Sequence, residues 1–140
     1  MGKIAGVIIS HGQVANELLA AAETIVGETS HLTAVSIGWH DDVELAKKEI
    51  ERAIEQVSSD RGVIILTDMF GGTPTNIAAM FLKDGAVEIV TGVNLPMVVK
   101  LAAYTGDGTL SEASKIIEET GKGAIYRTAA LLDSRSAENG

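Results

Sequence analysis

Apolar positions along the chain alternate between two patterns. Short aliphatic runs occupy Ile4 to Ile9, Leu32 to Ile37, the "VIILT" after Arg61-Gly62, and Ala86 to Thr91. Such runs, bounded by glycine or polar residues, suit strands buried on both faces. Between them the spacing turns helical. From Gln13 to Val26, the residues Val14, Leu18, Ala22 and Ile25 recur every three or four positions and mark one helical face, which Gly27 ends. A second helix, capped by Asp41 or Asp42, is predicted to run to about Val57 with Val43, Ala46, Ile50, Ala53, Ile54 and Val57 inward. Thr73 as N-cap and Pro74 at the first helical position predict a short third helix. Leu95 to Tyr104 and Leu110 to Thr120 predict two more, the last closed by Gly121. "AIYRT" predicts a final short strand, and the tail "DSRSAENG" a solvated end.

Strands that alternate with helices indicate an α/β domain, doubly wound around a mostly parallel sheet. Right-handed crossovers and a strand order of 2-1-3-4 place helices on both faces. The topological switch point then falls between the first and third strands, and ligands in open α/β sheets bind at the carboxyl ends of strands at such a point. The first strand leads into His11 and the third into Asp68. The topology therefore predicts that these two side chains meet.

Composition narrows the picture further. At 140 residues the chain suits one domain with a sizeable core. With 46% hydrophobic but only 4% aromatic residues, that core is expected to be aliphatic. No apolar run approaches the ~18 residues of a membrane span, and the start "MGKIAG" has no signal-peptide architecture. A net charge of −8 argues against nucleic acid as a partner, because phosphate backbones require basic patches. The absence of cysteine removes thiolate chemistry.

A histidine at a strand end can simply bond nearby backbone. Beside a carboxylate it can do more, since the carboxylate takes the proton of one ring nitrogen and leaves the other as nucleophile or base. The helix that starts near Gly12 adds main-chain N–H groups suited to an anion such as phosphate. In "DMFGGTPTN", Gly71 and Gly72 follow the carboxylate and can offer N–H groups, and Thr73 a hydroxyl, to the other side of that anion. Capping alone also accounts for Thr73 and Pro74. "TGVNLPM" stands at the fourth carboxyl end as a further wall of the crevice. "WHDD" at 39–42 is better explained by a helix N-terminus than by a metal site. Trp39 and His40 are placed near the rim, and His31 in a turn before the second strand.

"GVIISHGQVANELLAAAETIVG", "ILTDMFGGTPTNIAA" and "VTGVNLPMVVKL", in that order, resemble the IIA component of the mannose family of the bacterial sugar phosphotransferase system. The resemblance covers about residues 3 to 127, a IIA domain taken as 1–127 with a polar tail at 128–140. It implies a cytoplasmic phosphotransferase that uses a phosphohistidine and needs no cofactor or metal. It places the acceptor at His11, its carboxylate partner at Asp68 and a loop hydroxyl at Thr73. HPr is the implied phosphoryl donor and a IIB component the acceptor, with sugar entering through a membrane permease to which the complex can attach peripherally. The family fold carries four parallel strands plus an antiparallel C-terminal strand exchanged in a homodimer. The short tail suggests a stand-alone IIA, which leaves a regulatory phosphorelay, or the phosphotransfer subunit of dihydroxyacetone kinase, as alternatives. A hydrolase built on Ser10 or Thr73 with His11 and Asp68 is disfavoured, because no G-x-S-x-G elbow is present.

Overall fold

The computed structural model describes residues 2–38, 42–69 and 73–139, with side chains from 2–38, 42–69 and 75–133. Among the described residues four strands form one sheet: β1 (Ala5–His11), β2 (Leu32–Ile37), β3 (Val63–Thr67) and β4 (Val87–Thr91). Their order is β2-β1-β3-β4 and every pairing is parallel, as the sequence predicts. Among the described residues six α-helices connect or follow them: α1 (Val14–Val26), α2 (Val43–Val57), α3 (Thr73–Ala78), α4 (Leu95–Ala103), α5 (Leu110–Gly123) and α6 (Thr128–Asn139).

Period-two alternation along the central strands divides the core into two layers. Ile4 and Ile8, with Ile64 and Leu66, face one layer, packed against Ala15 and Ala22 of α1, Val98 and Leu101 of α4 and Ile117 of α5. Ala5, Val7 and Ile9, with Val63 and Ile65, face the other, against Ala46, Ile50, Ala53 and Val57 of α2 and Ile77 of α3. The aliphatic runs of the two central strands are thus enclosed, which is why β1 and β3 read as unbroken hydrophobic segments, whereas the edge strand β4 is only partly buried along its length.

Helix α2 begins where expected: the Asp42 carboxylate accepts from the Glu44 N–H, so Asp42 is the cap. Val43, expected inward, is 51% exposed. It lies in the first turn, before the inward stripe begins at Ala46.

Three features at the C-terminal end differ from expectation. Gly121 does not stop α5, which continues to Gly123. The glycine is instead a contact residue: a Cβ there would stand 2.4 Å from Met97 Sδ, so its absence lets α4 and α5 approach. The segment "AIYRT" forms no strand. It is a short connection between two helices and pairs with no strand edge in the single chain, with Ile125 78% and Tyr126 63% exposed. The tail, expected only to be solvated, is helical: it forms α6, whose first turns hold good helix formers (Ala129, Ala130, Leu131 and Leu132).

Candidate functional site

Register brings the two predicted residues together. Ile9 of β1 lies opposite Thr67 of β3, so the residue after β3 comes level with the end of β1. There Asp68 Oδ2 lies 2.8 Å from His11 Nδ1 and accepts the His11 main-chain N–H at 2.9 Å. Asp68 Oδ1 accepts the Met69 N–H at 2.9 Å. Because an ionised carboxylate only accepts, the geometry assigns the ring proton to Nδ1, and the lone pair of the neutral imidazole then resides on Nε2. Both side chains are partly open to solvent, 25% for His11 and 16% for Asp68.

Burial pushes the Asp68 carboxyl's pKa upward. The His11 N–H, the hydrogen bond from the His11 ring, the positive charge that ring carries when protonated, and the Met69 N–H outweigh that and hold it below the ordinary carboxylate value. The pair is thus an anionic carboxylate braced against an imidazole. Positive charge that develops on the ring would be met at once.

The turn that carries His11 is fixed from both sides. Ser10, fully buried, donates to the His11 carbonyl at 3.0 Å and accepts the Ala15 N–H at 2.7 Å, so it caps α1 from inside the strand. These bonds commit the Ser10 hydroxyl to main chain and remove it as a hydrolytic nucleophile. Gly12 has φ +52°, a left-handed conformation that glycine adopts without strain, and its carbonyl accepts from the Ser36 hydroxyl. The helix begins at Val14 rather than at Gly12, so the predicted anion-facing end is a turn followed by the first turn of α1.

On the far side, α3 opens at Thr73. Gly71 and Gly72 lie outside the described residues, as do Trp39, His40 and Asp41, and the Thr73 side chain is not described either. The β4–α4 loop reaches the site through its main chain: the N–H groups of Gly92 and Val93 both donate to Thr67 O, at 2.9 and 2.8 Å. Asn94, in the segment expected to wall the crevice, is a structural tie. It caps α4 by accepting the Met97 N–H at 3.2 Å and donates to Gly121 O at 3.1 Å. His31 precedes β2 and therefore sits at the opposite, amino end of the sheet. Burial lowers its pKa, and nearby Lys3 adds to that. Among the described residues no group of three or more His, Cys, Asp or Glu side chains could hold a metal ion.

Sequence reasoning missed two buried hydroxyls that support this end of the sheet, Thr67 at 0% and Thr75 at 8% exposure. The available signal was Thr67 itself, a polar residue that closes an apolar run and so requires a buried partner.

Residues 5–118 match the family model described as PTS system fructose IIA component. The chain is 35% identical over 129 residues to the PTS system mannose-specific EIIAB component of Escherichia coli, a match that covers 87% of this chain and 38% of that protein. It is 30% identical over 99 residues to the PTS system fructose-specific EIIA component of Bacillus subtilis, covering 70% of this chain and 68% of the relative. Among solved structures, the PTS IIA protein associated with the fucose utilization operon of Streptococcus pneumoniae superposes with a TM-score of 0.79 at 27% identity, over 94% of this chain and 99% of that one. The mannose/sorbose-specific IIA subunit from Enterococcus faecalis does so with a TM-score of 0.79 at 26% identity, over 89% of this chain and 94% of its own.

Proposed function

The chain belongs to the fructose- and mannose-type IIA family of the sugar phosphotransferase system, and on that premise we propose that it is a phosphoryl carrier whose acceptor atom is His11 Nε2. The observation that carries this is the 2.8 Å contact of His11 Nδ1 with Asp68 Oδ2 at the carboxyl ends of adjacent strands. As Nε2 attacks phosphorus, the Nε2–P bond forms, the donor's bond to phosphorus breaks and the donor keeps that electron pair. The ring becomes cationic and Asp68 stabilises it. The reverse displacement passes the group onward. Phosphoryl transfer demands mainly alignment and charge stabilisation, which a fixed ring and carboxylate supply. Gly12, Gly71, Gly72 and Thr73 are the residues we place around the phosphoryl oxygens.

The donor in this reading is phospho-HPr and the acceptor a IIB component, with sugar uptake through a permease as the outcome and the cytoplasm as the compartment. A IIA unit that handles only the phosphoryl group needs no pocket that encodes the sugar. It ends at about residue 127. A homodimer accompanies the reading. The edge strand β4 and helix α5 flank a groove of about 640 Å³, lined by Ile89, Thr91, Ser111, Lys115, Glu118 and Ile125. A strand formed by residues 124–128 of a second copy would add to that edge, since an exposed strand edge is best paired. Incubation with phosphoenolpyruvate, enzyme I and HPr tests the reading. Wild type should gain one acid-labile phosphate and His11→Ala none. A variant that still labels would move the chemistry to His31 or His40.

A further inference from the structure

We propose that Thr75 is a positioning residue for this site: through Thr67 and the Met69 main chain, it holds the Asp68 carboxylate in the orientation that faces His11. The inference rests on the reading of His11 as phosphoryl acceptor.

Thr67 ends β3 and Thr75 lies in α3, both buried. A buried hydroxyl is costly unless bonded. Thr75 Oγ1 donates to the Met69 carbonyl at 2.5 Å and lies 3.0 Å from Thr67 Oγ1. A hydroxyl has one proton, and that of Thr75 goes to Met69, so Thr67 is the donor to Thr75. The result is a directed chain from the Thr67 hydroxyl to the Thr75 hydroxyl to the Met69 carbonyl.

The Met69 N–H in turn donates to Asp68 Oδ1. Both main-chain polar groups of Met69 are therefore engaged, one by α3 and one by the carboxylate. Its side chain is 56% exposed, so packing does little to fix this turn. The hydroxyl chain fixes it instead. With Oδ1 held by Met69, Oδ2 is the oxygen presented to the His11 N–H and ring. Thr67 is braced from its other side by the Gly92 and Val93 N–H groups, so the relay starts from a rigid anchor.

Three variants separate positioning from mere stability. Thr75→Val keeps nearly the same shape but leaves the Thr67 proton and the Met69 carbonyl without their partner. Thr75→Ser keeps the hydroxyl. Thr67→Val with Thr75→Val removes both hydroxyls, so no buried hydroxyl donor is left unpaired. Each is measured for the rate of transfer from phospho-HPr and for the Asp68 carboxyl titration by carbon-13 NMR, beside a thermal midpoint. Thr75→Val and the double variant should transfer about 10- to 100-fold more slowly, the scale of a small misplacement of reacting groups. Their Asp68 should titrate at higher pH as the Met69 N–H loosens, and Thr75→Ser should restore both readouts. If Thr75→Val does not fold, the serine and double variants decide. A folded double variant with the wild-type rate and an unmoved Asp68 titration would overturn the proposal. A wild-type protein that takes no phosphate overturns the carrier reading instead, and the Asp68 titration, which needs no phosphate, then decides the positioning role.

Discussion

Asp68 accepts from both the main-chain N–H and the ring of His11, so one carboxylate sets the orientation and the tautomer of the imidazole. Asp68→Asn is nearly isosteric and should keep the fold. The amide carries no charge and can present either end to the ring, so phosphoryl transfer should slow by about 100-fold or more, the scale of losing one preorganised electrostatic group. Stopped-flow transfer from phospho-HPr measures this, and an unchanged rate would remove Asp68 from the mechanism. The carboxylate also links stability to pH. Its folded-state pKa is lowered, so its contribution is fully present above the unfolded value of about 4 and is lost as pH falls through the lower folded value. In acid titrations followed by circular dichroism, Asp68→Asn should lack that part of the destabilisation below about pH 4. At this scale His11 and Asp68 were legible, because each follows an apolar run that must be a buried strand. Thr75 was not, since its partners come from β3 and the turn after it, which only the folded chain brings near.

At the scale of elements, burial decides which positions carry stability. In α2, Ile50 is fully buried against the sheet while Leu45 is 59% exposed. Ile50→Ala should cost about 2–5 kcal/mol through lost burial and the cavity left behind. Leu45→Ala should stay within about 0.5 kcal/mol. Urea denaturation of both variants checks the contrast, and equal costs would contradict the assigned inward face. The same element shows where reading by pattern ends. The stripe from Ala46 to Val57 was visible in the spacing, but Val43 matched the period while lying in the first turn, where it is left exposed. Gly121 departs from its pattern for a related reason. Glycine is common at helix ends, yet here it serves the close contact with Met97, which depends on how α4 and α5 pack.

For the whole molecule, the order β2-β1-β3-β4 agrees with the one expected, in which right-handed crossovers place helices on both faces of the sheet. The C-terminal segment does not agree, because a strand exists only where an edge receives it, and 124–128 meets none within one chain. Equilibrium sedimentation should give a dimer for the full chain, and removal of residues 124–140 should give an unstable or aggregating protein. A well-behaved truncated monomer would contradict the exchange. The proposed chemistry takes place at one atom, and the phosphorylated protein reports on it directly. After phosphorylation by enzyme I and HPr, proton–nitrogen correlation spectra of the His11 ring, read with the phosphorus shift, distinguish the two phosphohistidine isomers. The phosphate should sit on His11 Nε2 with the Nδ1 proton still held by Asp68; phosphate on Nδ1, or on another histidine, would overturn the assignment of His11 Nε2 as acceptor.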